Sequence, residues 1–291
     1  MGRIVSAAVV GHVPTVMLDE DIRRKLGGSG EDTTLVEGFS KLRTHFDERE
    51  VDCFIIFDTH WFTTTEHVVA GAAHHQGLYT SEELPRVIHE LPFDYPGAPE
   101  LAQSIREVCK TRRIRMTNAT TPTLPYHYPT INLVHHLHRD EKVLSVSVCQ
   151  TGERDDFLAF GEAIGTAAEQ VDSRVALLGS GGMSHRFWPL VELFEHQGYG
   201  PEHVITPQAR EADEFVLACW SRGDHQAVCD FYPQYRQHAP EGKFAHYLML
   251  LGAIGGPGCN ARGEQFSDYE NSIGTGQVHV VFDLDDGCAP A

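Results

Sequence analysis

Short, nearly continuous runs of apolar residues recur along the chain, and turn residues close each run. Four such runs lie at residues 4–10, 53–57, 143–148 and 175–178, the third of them interrupted by two serines. Runs of this length are typical of strands that are buried on both faces of a sheet. The pattern therefore predicts four central strands.

Longer amphipathic stretches alternate with these runs. Their polar and apolar positions predict helices over residues 34–49, 98–110, 155–170, 206–222 and 241–252, and a shorter one over 131–137. Alternating strands and helices predict an α/β fold, with a central mostly parallel or mixed sheet flanked by helices. Because no repeat, low-complexity segment or linker interrupts the pattern, we expect a single domain over residues 1–291, with a polar tail from about residue 284 to 291.

The composition and the net charge of the chain disfavour several classes of binding partner. Lys and Arg number 23 against 41 Asp and Glu, which gives a net charge of −18. Such a chain repels phosphate backbones, so we expect no nucleic-acid partner and no lipid surface. No apolar run approaches the roughly 20 residues that cross a bilayer, and the N-terminus lacks a signal-peptide pattern. The seven cysteines are scattered without a C-x-x-C pair, which favours reduced thiols and a cytoplasmic protein.

Histidine is unusually frequent, with eighteen in the chain. Three of them share one context: His12 follows the first predicted strand, His60 the second, and His185 the last, after a glycine-rich turn. Ligands of open α/β sheets bind beyond the carboxyl ends of the strands. If these strands are parallel neighbours, the three imidazoles converge on one pocket.

A metal site would also need an anionic ligand, and Glu241 is the candidate. It lies in the first turn of the predicted helix 241–252, where the helix dipole favours a glutamate without any further role. Two imidazoles and one carboxylate are the facial ligand set of non-haem Fe(II) oxygenases, whereas zinc is more often tetrahedral. The segment 179–182, Gly-Ser-Gly-Gly, fits neither a nucleophile elbow nor a P-loop, which disfavours a serine hydrolase or a kinase.

Six segments in register over nearly the whole chain resemble a known superfamily. They are HVP at 12–14, FDTHW at 57–61, YTSEELP at 79–85, SHRF at 184–187, MLLG at 249–252 and GTGQV at 274–278. On these segments the sequence resembles the type III extradiol ring-cleavage dioxygenases, the superfamily of the catalytic subunit of protocatechuate 4,5-dioxygenase. Within it, the sequence looks most like the 3,4-dihydroxyphenylacetate (homoprotocatechuate) 2,3-dioxygenases.

The resemblance implies a role for each candidate residue. His12, His60 and Glu241 would hold Fe(II), with Mn(II) possible, and His185 would be the acid–base residue beside the metal. Many relatives carry Asp-His-Gly-Thr where this chain has residues 127–130, His-Tyr-Pro-Thr. Tyr128 thus replaces an active-site histidine and could hydrogen-bond a substrate or oxygen atom.

The implied reaction inserts both atoms of O₂ into a catecholic ring, 3,4-dihydroxyphenylacetate or a related catechol, and gives a ring-opened hydroxymuconic semialdehyde. His127 and Arg186 are candidate substrate-binding residues, the arginine because an anionic catechol needs a local cation in so acidic a chain. The partners would be this small molecule and O₂, and the resemblance implies a homo-oligomer. Two alternatives stay open: ring cleavage of the 2-aminophenol 1,6-dioxygenase type, and a non-catalytic binding member of the superfamily.

Overall fold

Twelve strands form the sheets of the computed structural model, which describes residues 2–28, 30–121 and 123–284. They are β1 (Arg3–Val10), β2 (Cys53–Thr63), β3 (His67–Ala70), β4 (His74–Tyr79), β5 (Leu91–Pro96), β6 (Met116–Ala119), β7 (Lys142–Cys149), β8 (Arg174–Ser180), β9 (Gly263–Gln265), β10 (Glu270–Ser272), β11 (Thr275–Gln277) and β12 (His279–Phe282). The central sheet has eight strands in the order β6-β3-β7-β2-β8-β1-β12-β9, and β4–β5 and β10–β11 form two separate hairpins. The predicted polar tail lies outside the described residues from residue 285 onward.

The middle of the central sheet is parallel. Strands β7, β2, β8 and β1 lie side by side and run in one direction, and they contain the four predicted strands. Strand β12 is antiparallel to β1, and β3 is antiparallel to β7, so the sheet as a whole is mixed. The predicted α/β fold with a mixed central sheet is confirmed.

Apolar side chains cover both faces of this sheet. In β1, Ala7 and Val9 pack into one core while Ala8 and Val10 pack into the other. Because successive side chains of a strand point to opposite faces, two covered faces require apolar residues at every position. This is the physical reason for the unbroken apolar runs.

Within the described residues, eight α-helices accompany the sheet. They are α1 (Glu20–Leu26), α2 (Thr34–Glu48), α3 (Pro99–Arg112), α4 (Tyr128–Leu137), α5 (Arg154–Ala168), α6 (Pro207–Arg222), α7 (His225–Tyr235) and α8 (Ala245–Ala253). Helices α2 and α4 contribute to one core, and α3, α5, α6, α7 and α8 contribute to the other. None of the described helices is both long and apolar enough to cross a membrane. Five of the six described cysteines are free thiols, and all five are buried: Cys53, Cys109, Cys149, Cys219 and Cys229.

The predicted helix 241–252 is wrong in its first turn. Glu241–Phe244 is a short 3-10 segment, and α8 begins only at Ala245. Gly242, Lys243 and Phe244 all have positive φ, between 54° and 62°. Left-handed backbone is costly for residues with a side chain, so the surroundings must hold this turn in place. The turn carries Glu241 away from the helix and toward the carboxyl ends of the parallel strands.

Candidate metal centre

His60 is positioned by an irregularity near the end of β2. The pairing of β2 with β7 shifts register between Asp58 and Phe62, so the residues between them bulge from the ladder. One oxygen of the buried Asp58 carboxylate accepts hydrogen bonds from the backbone N–H groups of His60 (2.9 Å) and Trp61 (3.1 Å). The other accepts from the N–H (3.1 Å) and the hydroxyl (2.6 Å) of Thr130 in α4. Asp58 therefore ties the bulge that carries His60 to the start of α4.

His12 follows β1 directly and is buried. Its Nδ1 lies 3.0 Å from the hydroxyl of Ser180, the last residue of the neighbouring strand β8. Its backbone carbonyl accepts a hydrogen bond from the side-chain amide of Asn132 (2.9 Å). With Nδ1 engaged, the ring presents Nε2 to the centre of the site.

Glu241 reaches the same point through the loop after β8. Ser184 of this loop forms an isolated antiparallel bridge with Pro240, and the Glu241 N–H donates to the carbonyl of Met183 (3.1 Å). This pairing places His185 and Glu241 next to each other. The left-handed turn after Glu241 then sends the chain into α8.

Three side chains converge in a geometry that could hold a metal ion. His12 Nε2 and His60 Nε2 lie 3.1 Å and 3.3 Å from the same carboxylate oxygen of Glu241, Oε1. One ligand atom of each residue lies within 4.8 Å of those of the other two. Among the described residues, no other group of three or more His, Cys, Asp or Glu side chains comes this close. Glu241 is further held by the hydroxyl of Thr59 and the N–H of Gly182, each 2.5 Å from a carboxylate oxygen. Two imidazole nitrogens and an anionic oxygen suit a divalent cation.

The electrostatics of the three residues agree with this use. Burial by itself would raise the pKa of Glu241, but the nearby His12 and His185 and the hydrogen bonds from His12 and His60 hold it well below its usual range. Burial likewise opposes the charging of His60, yet the hydrogen bond to Glu241 raises the pKa of His60 to about 9. The carboxylate therefore stays ionised and attracts positive charge, and a metal ion would replace the proton on His60.

His185 lies beside this group without belonging to it. Its Nδ1 is 3.5 Å from Glu241 Oε2 and makes no hydrogen bond within the described part of the chain. Burial lowers the pKa of His185, although the charge of Glu241 opposes that shift. The imidazole is therefore neutral at neutral pH, with one nitrogen available to accept a proton.

Tyr128 adds a phenol to the same place. Its hydroxyl lies 2.9 Å from His60 Nε2, and the two ring centroids are 4.4 Å apart. Burial raises the pKa of Tyr128 above its usual range, with Glu241 contributing in the same direction. The group is thus a neutral hydrogen-bond donor at the mouth of the candidate metal site.

A cavity of about 360 Å³ opens onto these residues. It is lined by His12, Val13, Pro14, His60, Glu83, Leu84, Tyr128, His185, Phe187, Glu241, Ser272, Ile273, Thr275 and Gln277. The two predicted substrate-binding residues are not brought to this lining. His127 stacks on Trp61, with centroids 6.2 Å apart, and the Arg186 guanidinium donates to the carbonyl of Gln237 (2.6 Å).

Sequence reasoning missed the residues that support the ligands. Asp58 and Thr59 lie inside the FDTHW segment next to His60, and Gly182 lies in the glycine-rich turn before His185. Their adjacency to candidate ligands was the available signal. Their roles depend on hydrogen bonds across the fold, as between Thr59 and Glu241, which are 182 positions apart.

The fold and this site together define a class of protein. Two histidines and a carboxylate beyond the carboxyl ends of an α/β sheet match the ligand set of mononuclear sites of the two-histidine, one-carboxylate type. The chain belongs to the family of the catalytic LigB subunit of aromatic ring-opening dioxygenases, which matches residues 6–283. It is an extradiol ring-cleavage dioxygenase, so the resemblance stated above is confirmed.

One relative agrees with this assignment in sequence, and one solved structure agrees with the fold. The chain is 32% identical to an Escherichia coli protein described as 3,4-dihydroxyphenylacetate 2,3-dioxygenase, over 259 residues that make up 88% of this chain and 91% of the relative. It also resembles the crystal structure of an uncharacterized protein from Escherichia coli K12, with a TM-score of 0.59 and 16% identity, over 96% of this chain and 100% of that one. At 16% identity the second likeness concerns the fold alone.

A buried carboxylate of α6 supports the loop that carries His185, and we expect its loss to be strongly destabilising. Asp213 accepts hydrogen bonds from the N–H (3.0 Å) and hydroxyl (2.7 Å) of Ser184 and from the hydroxyls of Tyr235 (2.7 Å) and Tyr269 (2.6 Å). Asp213→Ala leaves these donors without an acceptor, which should lower the free energy of unfolding by about 3 kcal/mol. Urea unfolding measures the loss, and Glu214→Ala, an exposed neighbour on α6, should change stability by less than about 0.5 kcal/mol.

The same residue predicts a pH dependence. Burial raises the pKa of Asp213 to about 6, although its hydrogen bonds oppose that shift. Because the folded state then binds this proton more tightly than the unfolded state, the contribution of this group to stability falls as pH rises from about 4 to about 6. Asp213→Ala should lack this component, and an unchanged pH profile in the variant would contradict the assignment.

Proposed function

We propose that this enzyme is an Fe(II)-dependent dioxygenase that cleaves 3,4-dihydroxyphenylacetate or a related catechol to a hydroxymuconic semialdehyde, the whole chain serving as one catalytic domain. His12, His60 and Glu241 would hold the metal. The observation that carries the proposal is the convergence of their three ligand atoms within 4.8 Å. The adjoining cavity, at about 360 Å³, falls in the size range of small-molecule sites.

The chain's own residues then have distinct tasks. When bound, the metal would supply a site for the ring oxygens and O₂ and a path for electrons between them. His185 Nδ1, unpartnered and 3.5 Å from Glu241, would take the proton of a ring hydroxyl and later return it. The Tyr128 hydroxyl, 2.9 Å from His60 Nε2, would donate a hydrogen bond to an oxygen bound at this side of the site.

Oxygen uptake by metal-loaded protein tests the proposal. The protein would be reconstituted anaerobically with Fe(II) or, in parallel, with Mn(II), and mixed with 3,4-dihydroxyphenylacetate, 4-methylcatechol or 2-aminophenol. We expect one O₂ consumed per catechol and a yellow ring-opened product. Uptake with the aminophenol alone would favour the 2-aminophenol 1,6-dioxygenase reaction. Tight catechol binding without uptake under either metal would favour a non-catalytic member.

The charge of the cavity leads to a separate prediction about the ring substituent. Its described lining contains two glutamates and neither lysine nor arginine, and the predicted cation Arg186 is engaged by the Gln237 carbonyl. We therefore expect Arg186→Gln to change the KM for 3,4-dihydroxyphenylacetate and for uncharged 4-methylcatechol by the same small factor. A rise in KM of roughly tenfold for the anionic ring alone would instead establish Arg186 as its partner, since a charge-assisted hydrogen bond is worth about that much.

A further inference from the structure

The two histidines of the candidate metal centre are held from behind by different groups. Both present Nε2 to Glu241 Oε1, which leaves Nδ1 facing away from the centre. The Nδ1 of His12 meets the Ser180 hydroxyl, a buried neutral group on a central strand. The Nδ1 of His60 meets a carboxylate, Glu83 Oε1, at 3.1 Å.

Glu83 comes from outside the central sheet. It lies between the hairpin strands β4 and β5, and its side chain is 60% exposed. The segment is nevertheless braced: the buried Ser81 accepts a hydrogen bond from the Leu84 N–H at its hydroxyl (3.2 Å) and donates its own N–H to Ile88 (3.0 Å). Leu84, the next residue, lines the cavity. One short segment therefore contacts both the candidate ligand His60 and the substrate cavity.

In water, such a half-exposed pair would stabilise the fold very little. The contact between Glu83 and His60 Nδ1 matters because of its effect on Nε2, the nitrogen on the opposite side of the His60 ring. A histidine that donates Nδ1–H to a carboxylate has its tautomer and ring orientation set, and its Nε2 becomes a more basic ligand. Glu83 satisfies this geometry for His60, and the carboxylate adds negative charge beside a cation site.

We propose that Glu83 is a positioning residue of the metal centre, which orients His60 through Nδ1 and raises the affinity of the site for a divalent metal ion. This inference rests on the proposed function, because it takes His60 as a metal ligand. It adds an outer carboxylate from the β4–β5 segment to a site whose other supports come from the central sheet, from α4 and from the loop after β8. His60 is therefore held by a residue, Glu83, that also lines the substrate cavity.

Metal affinity, measured without turnover, tests the proposal. Metal-free full-length protein would be titrated anaerobically with Co(II), whose visible absorption reports the ligand geometry, and then with Fe(II) in competition with a chelator. Glu83→Ala should weaken binding by about 10–100-fold and shift the Co(II) spectrum, as expected for loss of an outer-sphere partner. Glu83→Gln should fall between Glu83→Ala and the wild type, since an amide oxygen accepts the hydrogen bond without the charge. Glu82→Gln, the same loss of charge at the adjacent exposed residue, should stay within about twofold of the wild type.

The outcomes separate the two proposals. If wild-type protein binds the metal while Glu83→Ala and Glu83→Gln match Glu82→Gln in affinity and spectrum, Glu83 has no positioning role and the proposed metal site stands. If wild-type protein binds neither Co(II) nor Fe(II), the metal site itself fails and this inference fails with it. Should Glu83→Ala unfold, the comparison of Glu83→Gln with Glu82→Gln decides, because both keep the side-chain volume.

Discussion

A Glu241→Ala variant is expected to lose its metal and all measurable ring cleavage. Glu241 Oε1 lies within 3.3 Å of both His12 Nε2 and His60 Nε2. It therefore supplies the negative charge among the three candidate ligands. Without it, two neutral imidazoles remain, and the Thr59 hydroxyl and Gly182 N–H lose their acceptor. Such a pair holds a divalent ion far more weakly than a set with a carboxylate.

The measurement is metal content after anaerobic Fe(II) loading and desalting, followed by oxygen uptake with a catechol. His12→Ala and His60→Ala should behave in the same way, because a three-ligand site cannot spare a ligand. Glu264→Ala removes an exposed glutamate of β9 and should keep full metal content and activity. A Glu241→Ala protein with full iron and normal turnover would remove this residue from the metal centre. Glu241→Gln, which keeps the shape, would then show whether its charge matters.

His185→Phe is expected to keep the metal and to slow turnover by roughly 10²–10⁴-fold, the usual contribution of general acid–base catalysis. The structure supports this separation, since His185 lies 3.5 Å from Glu241 Oε2 and outside the group of three ligand atoms. Its Nδ1 has no hydrogen-bond partner among the described residues and is therefore available for proton transfer. The loss should appear in kcat, while anaerobic catechol binding should change little.

Two comparisons make this second result interpretable. Phe187→Leu alters an apolar residue that lines the cavity two positions away, and it should affect KM more than kcat. His185→Gln keeps hydrogen-bonding capacity without a titratable proton and should be nearly as slow as His185→Phe. Loss of iron from His185→Phe as complete as from His12→Ala would make His185 a ligand. Full turnover in both variants would remove it from the proton path.

Much of the architecture follows from local patterns. The apolar runs predict the four parallel strands because both faces of the sheet are covered, and the amphipathic stretches predict α2, α3, α5 and α6 to within a few residues. Histidines directly after buried strands also predict a pocket, because parallel strands end at one edge of the sheet. His12, His60 and His185 could therefore be singled out from eighteen by their position after strands. The pattern does not predict helices α1 and α7, and it misplaces the start of α8.

What only the tertiary structure decides is how the site is held. A glutamate before an apolar helix predicts that Glu241 lies in the first helical turn. In the structure, Glu241 instead lies against His12 and His60. The bridge between Ser184 and Pro240 and the three left-handed residues after Glu241 place it there. The pattern of hydrophobic and polar residues also does not predict that Asp58 holds the β2 bulge or that Glu83 contacts His60. Periodicity along a chain reports which side chains are buried, because the repeat of a strand or helix fixes which positions share a face. The partners of a buried polar group are chosen by packing between distant segments, and that choice exists only once the chain has folded.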